Sequence, residues 1–295
     1  MIKLAILGCE NSHSWDFARV FAPKDGNKIF EDVELLGVFG EPGVQGVEKG
    51  MEVIAEKSAC PVFADDKDAF LEEADAVMVT ARDGANHLKY AENYIKKGIP
   101  VWIDKPITRS VEEVLKLVEL AKKHKAVLSG GSSLEFAEGV LQCREIVKEY
   151  SETLTGAHIS APVIMDSPYG GFWFYTQHLV AMLTTIFGYE IKSVRAMKTA
   201  NGVHAIYSYE NYDVSAFYGG GYTVAVYTDN FEAESVAVKL QDDFYMPELK
   251  TFYNVIKTGK ADKTTKEYIA PVYILEATVK AFESNEEVKI EIPEI

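Results

Sequence analysis

Apolar residues fall into two regimes along the chain. Up to about residue 130, short unbroken apolar runs alternate with stretches whose apolar residues recur every three or four positions. Runs of that length, rich in β-branched and aromatic side chains, predict buried strands, and the wider spacing predicts helices with one apolar stripe. The runs lie at residues 2–7, 34–39, 61–64, 74–80, 101–103 and 126–129. Helices are predicted over 15–22, 45–59 and 111–124, after Asp66, and where Leu88, Ala91, Tyr94 and Ile95 repeat. Ser12 or Ser14 is expected to cap the first helix, Asp66 another, and Ser110 with Glu113 to form a capping box before 111–124. Strands alternating with helices in this way imply an α/β unit on a right-handed, doubly wound parallel sheet.

Beyond a helix predicted over 137–148 the pattern changes to strands with hairpin punctuation. A strand over 156–164 opens the series, and Asn201-Gly202 between two strand-like runs is a type I′ hairpin signal. Glu210-Asn211 separates strands at 207–209 and 213–218, Gly219-Gly220-Gly221 turns into 222–227, and a further strand covers 235–240. The expectation is an antiparallel meander, closed by helices at 247–257 and 271–284 and a last strand at 288–292. The chain is thus read as two domains, a parallel α/β domain at 1–130 and an α+β domain at 131–295 with a mainly antiparallel open sheet.

Composition narrows the class. At 295 residues with 47% apolar and 25% charged positions, the chain has the make-up of a globular protein of about two domains. Its formal charge of −15 argues against nucleic acid or an anionic membrane as partner. Cys9, Cys60 and Cys143 are too few and too scattered for a disulfide framework or a zinc site, which points to a reduced cytoplasm. Residues 1–8 enter a strand at once and nothing later resembles a span of about 20 apolar residues, so neither export nor membrane insertion is expected. The six histidines show no ligand spacing, and no metal is expected.

Candidate chemistry gathers where strands end. The run 101–103 stops in Asp104-Lys105-Pro106, and in an open parallel sheet the carboxyl ends of strands face the ligand crevice. Taken alone, those charges read equally as a solvated strand-end ion pair. The first strand ends in Gly8 before a helix, as a dinucleotide-binding turn does, and the second ends in Gly40-Glu41, where a Rossmann unit places the acid that holds the ribose. With the block from residue 74 to Pro106 and the helix start Gly170-Gly171-Phe172-Trp173-Phe174-Tyr175-Thr176-Gln177-His178, these motifs make the whole chain resemble the Gfo/Idh/MocA oxidoreductases, the glucose-fructose oxidoreductase and inositol dehydrogenase family.

The resemblance implies a Rossmann domain carrying NAD, with NADP less favoured because Glu41 would repel a 2′-phosphate. It also implies hydride transfer to or from a sugar, inositol or related polyol, and a homo-oligomer, dimer or tetramer, formed through the second domain's sheet. Lys105 matches the family lysine between nicotinamide and substrate, and His178 the family histidine. Cofactor contacts are expected from Gly8, Asn11, Ser12, His13, Glu41, Thr80, His87, Asp104 and Lys105.

Three departures bear on that expectation. Asp104 stands for the family's glutamate. Phe174 stands where the family has an aspartate four residues before the histidine, so Tyr175, sharing a helix face with His178, is the substitute acid or base; the other reading makes Trp173, Phe174 and Tyr175 core aromatics. Glu10 and His13 replace the second and third glycines of the dinucleotide turn, and a carboxylate about 4 Å from a phosphate costs about 1 to 4 kcal/mol. The leading expectation is an NAD-dependent oxidoreductase using Lys105, His178 and Tyr175. The rival is a binding or regulatory protein on the same fold.

Overall fold

The computed structural model describes residues 1–295. β1 (Ile2–Leu7) leads through a turn to α1 (Ser12–Phe21), followed by β2 (Val33–Phe39), α2 (Val47–Lys57), β3 (Phe63–Ala64), β4 (Ala76–Val79), α3 (His87–Lys96), β5 (Val101–Asp104), α4 (Val111–His124) and β6 (Leu128–Gly131). The strands form one sheet in the order β3-β2-β1-β4-β5-β6, with parallel pairing along it. Every residue of β4 and β5 is buried, as an unbroken apolar run requires when helices cover both faces. Trp102 meets the ring of Phe17 edge-on at 5.3 Å, and burying each such side chain contributes about 1.5–3 kcal/mol. Strand order reverses between β1 and β4, the point at which an open α/β sheet opens its crevice.

Two glycines hold the turn after β1. Gly8 sits at φ +112, and a Cβ there would lie 2.4 Å from the Ala81 nitrogen after β4. A Cβ at Gly50 of α2 would lie 1.9 Å from the Cys9 carbonyl oxygen, so α2 is seated directly on the turn. Asn11, not Ser12 or Ser14, caps α1: its extended backbone lets its side chain accept from the His13 amide. After Asp66 the chain makes turns instead of a helix, because the Asp66 side chain and carbonyl capture the amides of Asp68 and Ala69.

The second half comprises α5 (Glu138–Glu149), β7 (Leu154–Ala161), α6 (Trp173–Phe187), β8 (Ser193–Thr199), β9 (Gly202–Ser208), β10 (Asp213–Tyr218), β11 (Thr223–Thr228), β12 (Ala233–Ala237), α7 (Met246–Thr258), α8 (Thr265–Ser284) and β13 (Val288–Lys289). Its sheet runs β12-β11-β7-β10-β9-β8-β13, antiparallel except for the β7–β10 pair. The expected meander is therefore broken: β11 pairs with β7, not with β10. The glycine segment wraps the end of β7, with Gly219 donating to the Ala161 carbonyl and Ser160 Oγ to the Gly221 carbonyl. The β8–β9 hairpin turns at Ala200-Asn201, one position earlier than the signal suggested, since Gly202 is already in β9. α8 begins well before Pro271, because Thr264 and Glu267 form a capping box that sets its start.

α6 and α8 pack Leu179, Leu183, Ile274 and Leu275 onto Ile159, Val194, Val203 and Val214 of the sheet. The sheet's other face leaves Met197, Ile206 and Tyr227 exposed, and His204 stacks on Phe217 at 4.4 Å. Contacts divide the chain into two units, residues 1–108, 112–130 and 252–262, and residues 109–111, 131–251 and 263–295. The second half of α7 counts with the first unit, where Tyr253 and Lys257 both bond Asp32 at 2.8 Å. No helix is long and apolar enough to cross a membrane.

Candidate active site

At the end of β5, Asp104 is completely buried and its oxygens are taken up by the protein. Asn11 Nδ2 donates at 2.6 Å and the Lys105 amide at 2.7 Å, while His13 Nδ1 lies 3.0 and 2.9 Å from the two oxygens. Burial pushes this carboxyl up, but the facing His13 and the neighbouring Lys105 outweigh it, holding Asp104 below the usual carboxylate range. Asn11, His13 and Asp104, all expected as cofactor contacts, thus bond one another, with Asp104 as an internal anchor. Lys105, also buried, follows it directly and precedes a cis bond to Pro106.

The turns after β1 and β4 are laced together across the switch point. Thr80 Oγ1 donates to the Gly8 carbonyl at 2.7 Å, and Glu10 accepts from the Arg82 amide at 3.0 Å. Glu10 is only 3% exposed, so it does not turn out to solvent. Burial drives its carboxyl pKa up, against the lowering influence of the amides of Arg82 and Glu10 and of the charges of His87 and Arg82. His87 is fully buried with Nδ1 3.1 Å from the Ile107 carbonyl and Nε2 2.8 Å from the Ala81 carbonyl, pinning the loop after β4 to the segment after β5. Glu41 reaches α3 and bonds Lys89 Nζ and Tyr90 OH, bonds that hold its carboxyl below the ordinary value.

A dinucleotide fits this frame on one condition. Gly8 brings the turn after β1 against Ala81 after β4, Ser12 opens a helix whose first-turn amides favour an anion, and Glu41 stands just beyond β2. Glu10, however, extends from one side of the switch point to the other, where a pyrophosphate would lie. The residues fit the cofactor with Glu10 in its neutral form.

The second unit carries its own chemical cluster on α6. His178, buried, has Nδ1 2.8 Å from Ser132 Oγ. That oxygen also accepts from the Leu134 amide and keeps a second lone pair, so the serine donates to Nδ1 or accepts from it according to the ring's tautomer. Tyr175 meets the His178 ring edge-on at 4.7 Å. The hydroxyls of Tyr222 and Tyr175 are bonded, and burial first and this neighbour second push the Tyr222 phenol up. Phe174 packs between the rings of Tyr169 and Tyr175 and contributes no polar atom. Beside Gly131, a half-hidden ion pair joins Lys263 to Glu135.

Ser132 and Tyr222 were not among the residues singled out from the sequence. Ser132 had a signal, since Gly130-Gly131-Ser132 ends β6 as Asp104-Lys105 ends β5. Tyr222 had none beyond following three glycines.

Residues 5–132 match the family model described as oxidoreductase family, NAD-binding Rossmann fold. Among solved structures, a scyllo-inositol dehydrogenase from Lactobacillus casei aligns with a TM-score of 0.78 at 16% identity, covering 98% of each chain. A myo-inositol 2-dehydrogenase from Lactobacillus plantarum gives 0.78 at 14%, covering 98% of this chain and 99% of its own. An oxidoreductase from Agrobacterium radiobacter, solved with NAD+, L-tartaric acid and magnesium, gives 0.75 at 11%, with 98% of each chain covered. At these identities the likeness is one of fold. No curated protein sequence matches.

Proposed function

We propose that this chain, whose first domain belongs to the Gfo/Idh/MocA oxidoreductase family, is an NAD-dependent dehydrogenase or reductase acting on a cyclic polyol or sugar-like alcohol. The observation that carries the reading is Lys105, a buried lysine at the carboxyl end of β5 beside a carboxylate whose own oxygens are already bonded. At the strand end that faces the crevice of an open parallel sheet, its ammonium is the group that would stabilise alkoxide developing on a reacting oxygen. A bound nicotinamide supplies the hydride acceptor or donor. Gly8, Ser12 and the first amides of α1 would hold its pyrophosphate, and Glu41 its adenosine ribose. His178 and Tyr175, edge-on to each other, together supply a proton to a carbonyl oxygen in the reduction direction and take it back in the oxidation direction. Inositol dehydrogenases among the structural relatives make inositols the first substrates to try.

Fluorescence titration with NADH and NADPH tests the reading. NADH is expected to bind, and because Glu41 is already paired with Lys89 and bonded to Tyr90, its discrimination against NADPH is read from the same titration. Failure of both at millimolar concentration would sink it. Glu10 across the switch point favours a second reading, a binding protein that has given up the cofactor, and the same titration separates the two.

The exposed sheet face with Met197, Ile206 and Tyr227 is proposed to be covered by a second copy of this chain. Sedimentation velocity should then show an oligomer that Ile206→Lys converts to monomer. A monomeric wild type removes this part of the proposal.

A further inference from the structure

Resting on the cofactor reading above, we infer that dinucleotide binding is proton-linked through Glu10: the protonated carboxyl donates a hydrogen bond to a pyrophosphate oxygen, and its ionisation weakens the complex. The geometry is specific. β1 and β4 are neighbours whose crossovers part at the switch point, and Glu10 reaches from the turn after β1 to the Arg82 amide after β4. The crevice of an open α/β sheet lies at this switch point, so a diphosphate bound there comes close to the Glu10 carboxyl. An ionised carboxylate repels the diphosphate, whereas a neutral carboxyl has a hydrogen to give.

The titratable and charged groups that act on Glu10 come from its own turn, from the segment after β4 and from α3. In its own turn Cys9 is a thiol whose pKa burial pushes to about 12, so it stays neutral. Arg82 after β4 is cationic and His87 of α3 acts in the same sense, both favouring the carboxylate, yet burial outweighs them. Tyr90 of α3 is kept protonated by burial, by its bond to Glu41 and by the charge of Glu10. At the start of α2 a Cβ on Gly46 would lie 3.5 Å from that of Glu10, and one on Gly50 3.3 Å from the Glu10 nitrogen. Glu41, on the far side of Tyr90, already holds Lys89.

The sign follows from linkage. Below the carboxyl's folded pKa the donor is present and affinity is at its plateau. Above it each complex must take up a proton, so the dissociation constant rises by up to about tenfold per pH unit.

The experiment is NADH fluorescence titration of the full chain and of Glu10→Gln from about pH 4.5 to about pH 9 at constant ionic strength, with calorimetry in buffers of different ionisation enthalpy. Wild type should weaken with pH and absorb up to one proton per NADH. Glu10→Gln, whose amide keeps a donor, should bind with a flat profile and absorb none. A flat profile in wild type overturns this inference while leaving the cofactor reading intact, and so does a slope that survives in Glu10→Gln. Proton uptake is read on wild type alone, so a poorly folded variant does not rescue the idea. No NADH binding by either protein at any pH removes the cofactor reading, and this inference with it.

Discussion

Asp104→Ala should cost the first unit about 3–5 kcal/mol, the range for removing one partner from a buried charged network. The substitution takes away the acceptor for Asn11 Nδ2, His13 Nδ1 and the Lys105 amide at once, in a place without solvent. A urea titration followed by tryptophan fluorescence reads it well, since Trp102 packs on Phe17, which in turn lies 5.7 Å from the His13 ring. Asp104→Asn should be milder, with one oxygen kept and an amide group set against donors. Because the folded Asp104 carboxyl lies below its ordinary value, its contribution is present above the unfolded carboxylate range and is lost as pH falls through the folded value. The gap between wild type and Asp104→Asn should therefore close below about pH 4. Combining His13→Ala with Asp104→Ala should cost less than the sum of the two, because the charge and its partner leave together. A denaturation midpoint for Asp104→Ala within about 0.5 kcal/mol of wild type would show that the network carries no weight.

The same network marks the limit of what the sequence reveals. β1, β4 and β5 were legible because each is an unbroken apolar run, and Asp104-Lys105 was legible as a place because the run ends there. What Asp104 does was hidden, since its partners Asn11 and His13 lie some 90 residues earlier and look like ligand-facing turn residues. Glu10 was visible as an anomaly, but only its burial and its bond to Arg82 distinguish a side chain crossing the crevice from one turned to water. In the second unit each strand was locally readable, while their order was not. The β7–β10 parallel pair depends on where a glycine segment wraps a strand end, which no local period encodes. Tyr222 was invisible for the same reason, because it becomes chemically interesting only beside Tyr175.

On the proposed mechanism, Tyr175→Phe should lower turnover about 10²-fold while leaving NADH affinity unchanged, the usual scale for losing a general acid or base. Phe174 cannot move a proton, and it is packed against Tyr169 and Tyr175 as an apolar support. Tyr175 has the group that Phe174 lacks, lies edge-on to His178, and is bonded to the Tyr222 hydroxyl. Tyr222 acts through Tyr175 and is a positioning residue. Tyr222→Phe should reduce kcat about tenfold with KM little changed in the wild-type background, and should cost almost nothing when Tyr175 is already phenylalanine. Ser132→Ala, which frees His178 Nδ1, should lower kcat independently of both tyrosines. The assay is NADH absorbance with NAD+ and a panel of inositols and aldoses, and Phe174→Asp in the Tyr175→Phe background should recover part of the activity. Full turnover by Tyr175→Phe would return that ring to a packing role. Equal losses from Tyr222→Phe in both backgrounds would make Tyr222 a structural residue, and the proton would then rest with His178 and Lys105.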